Sequence, residues 1–320
     1  MRGAFAAVVW LGLGCALAPA VAGAQAAAPL PLVDPQPEVS LYYRSLTAAR
    51  VNPLGFFELF DLSLRARLYQ SETDALRQNF VGIGMSGGIS PAFGRVGVLA
   101  EVQPLTILRL WALYEIVGYF SSFDLMASFP SATSAFSDTA IRAGSGGGRP
   151  GYSTYGGQLT LGANAQVRFG PLAVRDALRV IRASFGLRAG DRVFFDQLFD
   201  LQIPNDGWAL NNDLDVLFIT DFGLMAGARY TFATPFNEDR HFAPGDDPAL
   251  AANHVHRLGP MIGYTFERHP NSRFDAPMLI LIAQWHLVHR FRTGADVDIG
   301  LPYIALAFQF VGDLLSAEGP

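Results

Sequence analysis

Lysine is absent from this chain of 320 residues, and all 23 basic residues are arginine. Against 28 acidic residues the formal net charge is −5, which excludes a generally nucleic-acid-binding surface. There is one cysteine, Cys15, and it falls inside an export leader. A mature chain without cysteine cannot be a disulfide scaffold, a thiolate zinc site or a cysteine enzyme. Long apolar runs are missing as well. After residue 24 the best stretch, Ala276 to Val288, is short and carries Gln284 and His286. A membrane helix needs ~20 predominantly apolar residues.

The leader is read from Arg2, the apolar run Ala4 to Leu17 and the small residues Ala22-Gly23-Ala24. Residues 1–24 are expected to be a signal peptide, cleaved after Ala24 or Ala26. Lipid attachment at Cys15 fits poorly. Gly12 stands where a bulky aliphatic residue is expected, and the apolar stretch continues past the cysteine.

What the chain has in abundance is apolar residues, finely divided. They make up 50% of it, with 33 Gly and 25 Phe, and the mean hydropathy is +0.24. The division has a period of two. From Gln158 to Phe169 one parity reads Gln, Thr, Gly, Asn, Gln, Arg and the other Leu, Leu, Ala, Ala, Val, Phe. Successive strand side chains point to opposite faces, so this is a strand with one polar and one greasy face. Twelve such strands are predicted: 38–50, 56–70, 79–90, 94–103, 105–120, 156–169, 178–190, 212–221, 223–233, 256–267, 277–292 and 300–312. Each is close to the ~9–11 residues of a tilted transmembrane strand. Residues 25–37 read as an N-terminal periplasmic segment, 38–312 as the barrel and 313–320 as a tail. Numbered from a periplasmic N-terminus, the outward gaps 121–155, 191–211 and 234–255 are long and most inward ones are short, as such barrels require.

Residues 82–88 read GIGMSGG and satisfy two enzyme patterns together. Gly82, Gly84 and Gly87 match G-x-G-x-x-G; Gly84, Ser86 and Gly88 match G-x-S-x-G. Both patterns need a helix after the strand. Here Ile89-Ser90-Pro91, a turn, follows. The expected role is a thin strand against which something packs inside. Gly146, Gly148 and Gly151 repeat the first pattern in a flexible loop.

The leader, the dyad alternation and the aromatic-rich last strand Tyr303 to Phe310 together resemble Gram-negative outer-membrane β-barrel proteins. The likeness covers nearly all of 38–312 at the level of architecture, and no motif ties it to one family. Leu314 to Pro320 trail beyond Phe310, where such barrels often end on an aromatic residue. The resemblance implies an all-β fold, a closed antiparallel up-and-down transmembrane barrel of about twelve strands in the cell outer membrane. Its implied partners are outer-membrane lipid and the barrel-assembly machinery. Lipid itself demands closure, since every backbone polar group must be paired.

Parity then predicts which charges face the lumen. Arg44, Arg65, Arg67, Arg109, Arg168, Arg182, Arg188, Arg229, Arg290 and Arg292 are placed there, with Glu101, Glu115, Asp213, Asp215 and Glu267. Guanidinium groups suit carboxylate and phosphate. Two readings stay open: a narrow porin-like channel for small polar or anionic solutes, and a closed core in which these arginines pair with the acids. An outer loop offers His241, His254 and His256 with Asp246 and Asp247. His254-x-His256 is a weak metal candidate, and the 241–256 loop a candidate for an outer-membrane hydrolase. No His-Asp-Ser cluster supports it, no catalytic residue is assigned, and nothing calls for a cofactor. His289 is expected near the outer rim on the apolar parity, beside Phe291. Tyr114, Tyr119, Phe120 and Phe123 are expected in an interfacial aromatic girdle. A soluble protein of two stacked sheets is the remaining alternative.

Overall fold

The computed structural model describes residues 36–120, 126–143 and 151–316. Its strands are β1 (Val39–Val51), β2 (Gly55–Ala66), β3 (Phe80–Ile89), β4 (Phe93–Leu105), β5 (Leu108–Tyr119), β6 (Ser128–Phe129), β7 (Thr154–Phe169), β8 (Leu172–Phe185), β9 (Val193–Asp196), β10 (Leu201–Pro204), β11 (Trp208–Ile219), β12 (Leu224–Phe236), β13 (Val255–Thr265), β14 (Asp275–Val288) and β15 (Tyr303–Asp313). Twelve of them form one antiparallel sheet in the order β11-β12-β13-β14-β15-β1-β2-β3-β4-β5-β7-β8. The sheet closes where β8 lies along β11, so it is a barrel and not two stacked sheets. The predicted leader and the last four residues lie outside the described residues, as do Phe123, Gly146 and Gly148.

The alternation explains the wall. On β3, Val81, Ile83, Met85 and Ile89 point outward and are 47% to 62% exposed, while Phe80 and Ser86 are buried inside. The same outward greasy parity runs through β4 (Val96, Val98), β11 (Val216, Phe218), β14 (Leu279, Leu281) and β15 (Leu306, Phe308). Exposed rings mark both ends of the belt: Phe56, Phe120 and Tyr155 above, Phe169, Phe222 and Phe266 below. This is the banding that a bilayer imposes on a barrel. Tyr114 and Phe120 face outward as expected. Tyr119 does not: its ring packs inside, 6.0 Å from Phe93 and 5.4 Å from Phe185.

The heptad 82–88 is a plain strand. A Cβ on Gly84 would meet the Leu62 carbonyl oxygen at 2.1 Å, and one on Gly88 the Leu59 side chain at 2.5 Å. Ser86 donates to Asp61 Oδ1 at 2.6 Å, and Asp61 is already paired with Arg44. The serine therefore serves a structural carboxylate. Gly87 is different, for its nearest neighbour is Arg95 O at 3.7 Å.

Two long outer connections fold into the mouth. They supply β6, β9 and β10, a small antiparallel sheet in the order β10-β9-β6. A one-turn helix, Asp138–Arg142, is capped by the Ser137 hydroxyl accepting from Ala140 N at 3.0 Å. One face of this plug presents Phe194, Leu201 and Ile203 to Phe185, Ile181 and Ala209 of the wall; the other presents Phe129, Val193 and Phe195 to Phe136 and Phe291. On the far side of the lumen Leu217, Met225, Met261 and Met278 fill the space below. The barrel is thus largely a packed core.

Gly84→Ala is expected to destabilise the barrel by about 3 kcal/mol or more, because backbone and not a movable side chain blocks the new methyl. Gly87→Ala should be neutral. Heat-modifiable gel mobility of the two refolded variants checks this. Equal behaviour would refute the close-packing role of Gly84.

Candidate functional site

Among the described residues the lumen gathers buried charge of both signs. Its acids come from alternating positions of β2, β4, β5 and β11, and arginines reach them across the pleat. Arg44 pairs with Asp61. Glu101, on β4, accepts Arg65 Nε at 2.7 Å and Arg109 Nη2 at 2.6 Å. Arg65 is held further, its guanidinium 3.6 Å from the Tyr42 ring centroid and 4.3 Å from that of Phe80. Glu115 is held by Arg95 through Nε at 2.7 Å. Asp215 takes Arg229 Nε at 2.7 Å and, across the closure, Arg175 Nη2 at 3.1 Å. Buried charges survive when paired and hydrogen-bonded in this way.

Of the predicted lumen residues, Arg65, Arg109, Glu115 and Arg229 stand on the inner wall, with Arg44, Glu101, Asp213 and Asp215. Arg67 and Arg168 lie at the lower rim, donating to Gln36 O at 2.6 Å and Gly170 O at 2.7 Å. Arg188, Arg290 and Arg292 follow the ends of β8 and β14 and serve the plug. Arg188 sits 4.3 Å from the Tyr152 ring centroid, and Arg290 donates to Ser134 O at 3.0 Å and Thr133 O at 2.7 Å.

Arg182 is a correction: it points outward, exposed, 5.8 Å from the Trp208 ring. All of β8 keeps one parity inward, from Ala173 and Arg175 to Phe185, whose ring lies 5.0 Å from Phe194 of the plug, and Arg182 falls on the other. Glu267 is a second correction, exposed in a turn beside His269 at 3.2 Å. Five inward arginines were missed: Arg50, Arg95, Arg175, Arg179 and Arg257. Arg95 shares odd parity with Glu101, so the sequence held that signal. Arg175 and Arg179 lie partly outside the predicted strand 178–190 and on the parity assigned to lipid.

The outer-loop histidines do not form one cluster: His241 stands apart from the neighbouring His254 and His256. His241 receives Glu238 N–H at Nδ1 and faces Asn205 O, while Asp246 accepts the Ser131 and Thr133 hydroxyls. His256 points outward, its Nδ1 2.6 Å from Tyr230 OH and its ring 5.6 Å from that of His254. Among the described residues no group of three or more metal-ligating side chains is found.

His289 is a third correction, since it is buried at the plug and not on the greasy face. Beyond Val288 the strand ends and parity no longer applies. Its Nδ1 accepts Phe291 N–H at 3.0 Å and Arg292 N–H at 3.1 Å, so Nε2 carries the proton toward Asp200 O at 3.3 Å. Asp200 ties the plug to the barrel. It receives Arg292 Nε at 2.6 Å, and Arg292 also reaches Asp138 at 2.9 Å and Asn52 at 2.8 Å. Burial opposes the charge on Asp200, yet His289 and Arg292 hold its carboxyl well below the usual range. Burial outweighs Asp200 at His289 and holds that imidazole at about 4.

Beneath the plug, cavities open in the lumen among the described residues. The lowest, about 250 Å³, opens on the inner side and is lined by Tyr42, Arg44, Arg65, Arg109, Asn164 and Arg179, among others. Above it lie cavities of about 60 Å³ and 30 Å³. Each exceeds the ≳ 10–15 Å³ that one water needs.

A closed barrel with an apolar belt and two aromatic girdles is an outer-membrane-type transmembrane barrel, and the cell outer membrane is its place. Solved structures of similar architecture include the KdgM porin, with a TM-score of 0.37 and 6% identity over 85% of this chain and 98% of that one. The translocator domain of the autotransporter NalP from Neisseria meningitidis gives 0.40 and 10%, over 86% and 88%. Omp33 of Acinetobacter baumannii gives 0.35 and 11%, over 87% and 100%. These likenesses are of barrel fold alone. No protein-family model and no curated protein matches the chain.

The latch has a sign in pH. An exposed His289 titrates near 6.5, the buried one near 4. The released state therefore binds a proton more readily, and plug closure weakens as pH falls from about 6.5 to 4, by at most about 3 kcal/mol. Above pH 6.5 His289 adds no pH dependence. Protease sensitivity of the outer loops should rise across that window, and His289→Gln should flatten the rise. A profile unchanged by the substitution would refute the assignment.

Proposed function

We propose that this barrel is a narrow channel for small polar or anionic solutes, held shut on its outer side by the folded-in loops. One observation carries the reading: the three cavities adjoin one another. The first and second share Asp61 and Arg179, and the second and third share Arg50, Phe57 and Tyr303. A barrel built only as an anchor has no use for a stepped, arginine-lined path that ends under a removable cap. Passage is diffusion and takes no cofactor. Outer-membrane lipid on the belt and the assembly machinery are the partners this reading requires.

The ion pairs favour a second reading, a permanently plugged structural barrel, because most lumen arginines already hold an acid. A hydrolase in the 241–256 loop gains no support, since His241 is buried against Asn205 and His256 is engaged by the Tyr230 hydroxyl.

Planar bilayers separate the first two. Wild-type protein should open rarely, and Arg292→Ala, which cuts the tie to Asp200 and Asp138, should raise open time at least tenfold, in steps that prefer anions. Silence from both proteins would establish the structural reading, and cation preference would overturn the anionic one.

A further inference from the structure

Arg179 breaks the pairing that holds for its neighbours. It lies on β8 and is 4% exposed. It donates no hydrogen bond among the described residues, and its Nη2 is buried with no acceptor. Asp213 attracts it, but Arg229, Arg44 and Arg95 repel it. Asp213 is itself engaged by Arg229 at 3.8 Å and by the Thr231 hydroxyl. A buried cation in that position is costly unless something else brings negative charge.

Its place in the lumen points to what that is. Arg179 stands at the neck between the 250 Å³ vestibule and the 60 Å³ cavity above it. The acid that shares the neck, Asp61, is taken by Arg44 and Ser86. A second unsatisfied donor lines the upper cavity: Trp111 Nε1–H is buried without an acceptor. The two are set side by side by one residue. Gly162 on β7 pairs with Trp111 of β5 on one side and with Arg179 of β8 on the other. A Cβ on Gly162 would strike the indole at 2.1 Å, so the glycine lets the ring lie over β7. Arg179 Nη2 and the Trp111 indole N–H thus flank a glycine at a cavity neck, and neither has an acceptor among the described residues. Two residues along β7, Asn164 lines the vestibule, and its side chain makes no hydrogen bond among the described residues.

Charge favours the same ligand. Five arginines and three aspartates line the vestibule. Glu101, on the inner wall and paired with both, balances Arg65 and Arg109 in part. Asp275 and Asp313 sit low and cap backbone N–H groups of His269 and Leu41. With Glu101 counted, five arginines face four carboxylates, so one positive charge is left over.

We infer that this neck is an anion-binding site. A carboxylate or phosphate group of a small solute, entering from the periplasmic side, lies between Arg179 and Trp111 Nε1, with the solute's hydroxyls toward Asn164. The vestibule is smaller than the ~300–1,000 Å³ of drug-sized pockets, which suits a single sugar acid or a compound of that size. Arginine suits the head group because its planar fork offers two parallel donors. The site deepens the channel reading by naming its solute class and the point of selection, yet binding does not require the plug to open.

The test is equilibrium titration calorimetry of the full-length, detergent-folded protein with D-glucuronate, inorganic phosphate and glucose. At least one anion should bind saturably and glucose should not. Which anion binds assigns the head group. Arg179→Gln should weaken that binding at least tenfold, and Arg179→Lys less, since it keeps charge but loses the fork. Gel mobility confirms folding of each variant; if Arg179→Gln does not fold, Trp111→Phe and Asn164→Leu decide, each expected to weaken binding several-fold. No saturable anion binding by wild type, or wild-type affinity in the folded variants, would overturn the site. Binding by a protein that stays silent in bilayers keeps the site and removes the channel. Anion-selective conductance that Arg179→Gln leaves unchanged does the reverse.

Discussion

In hydrocarbon a backbone N–H or C=O finds no water, so every one must be paired within the protein. For strands this leaves one solution, a sheet with no edge. The meeting of β8 and β11 is therefore the step on which everything else rests. Once the ring is closed, the pleat divides the chain into two populations. Outward side chains have lipid as solvent and are apolar. Inward ones share an enclosed space whose width twelve strands fix between a filled core and an open pore. The Arg175–Asp215 pair at 3.1 Å bridges the closing seam, so the same residues that fill the lumen also fasten the ring.

That width dictates the interior chemistry. The space is too large for small side chains alone and too dry for free charges. Arginine resolves this better than lysine, because its fork addresses two oxygens or two acids together. Arg292 spans Asp200 and Asp138, while on the acidic side Glu101 is shared by Arg65 and Arg109. A chain without a single lysine is well matched to such bridging, whatever coding bias lies behind it.

The wall was legible in the sequence because period two is a local signal. All twelve predicted strands correspond one to one with wall strands, displaced by a few residues at the ends. The plug was not legible. Ser128–Phe129, Val193–Asp196 and Leu201–Pro204 are two to four residues long, too short to show a period. Yet the plug gives apolar side chains a partner inside, so a greasy parity need not face lipid. Ile181, Ala183 and Phe185 looked lipid-facing by local hydrophobicity, yet they share the inward parity of β8 with Arg175 and Arg179 and join the core around Phe194, which leaves Arg182 outside. Tyr119 joins the same inward ring chain. His289 and Arg292 fall past the end of β14, where their positions follow from Asp200, a residue about ninety places away in sequence. The lumen's charges were readable wherever the strand was clean, as at Glu101 and Asp215, and unreadable wherever a distant loop supplied the partner.

The two kinds of contact inside the barrel divide its labour. Phe194, Leu201 and Ile203 close the outer mouth by apolar burial, on the order of 2 kcal/mol for each side chain, which salt barely affects. Around the vestibule, on the side of β1 to β5, β7 and β8, the contacts are ionic. Ionic contacts respond to solutes and to screening, whereas packed rings respond to volume. Selection and closure are thus assigned to different physical interactions at different heights. The stepped cavities narrow from about 250 Å³ through 60 to 30 Å³ toward the plug. A solute meets the charged neck before it meets the cap, so discrimination does not depend on the cap having moved.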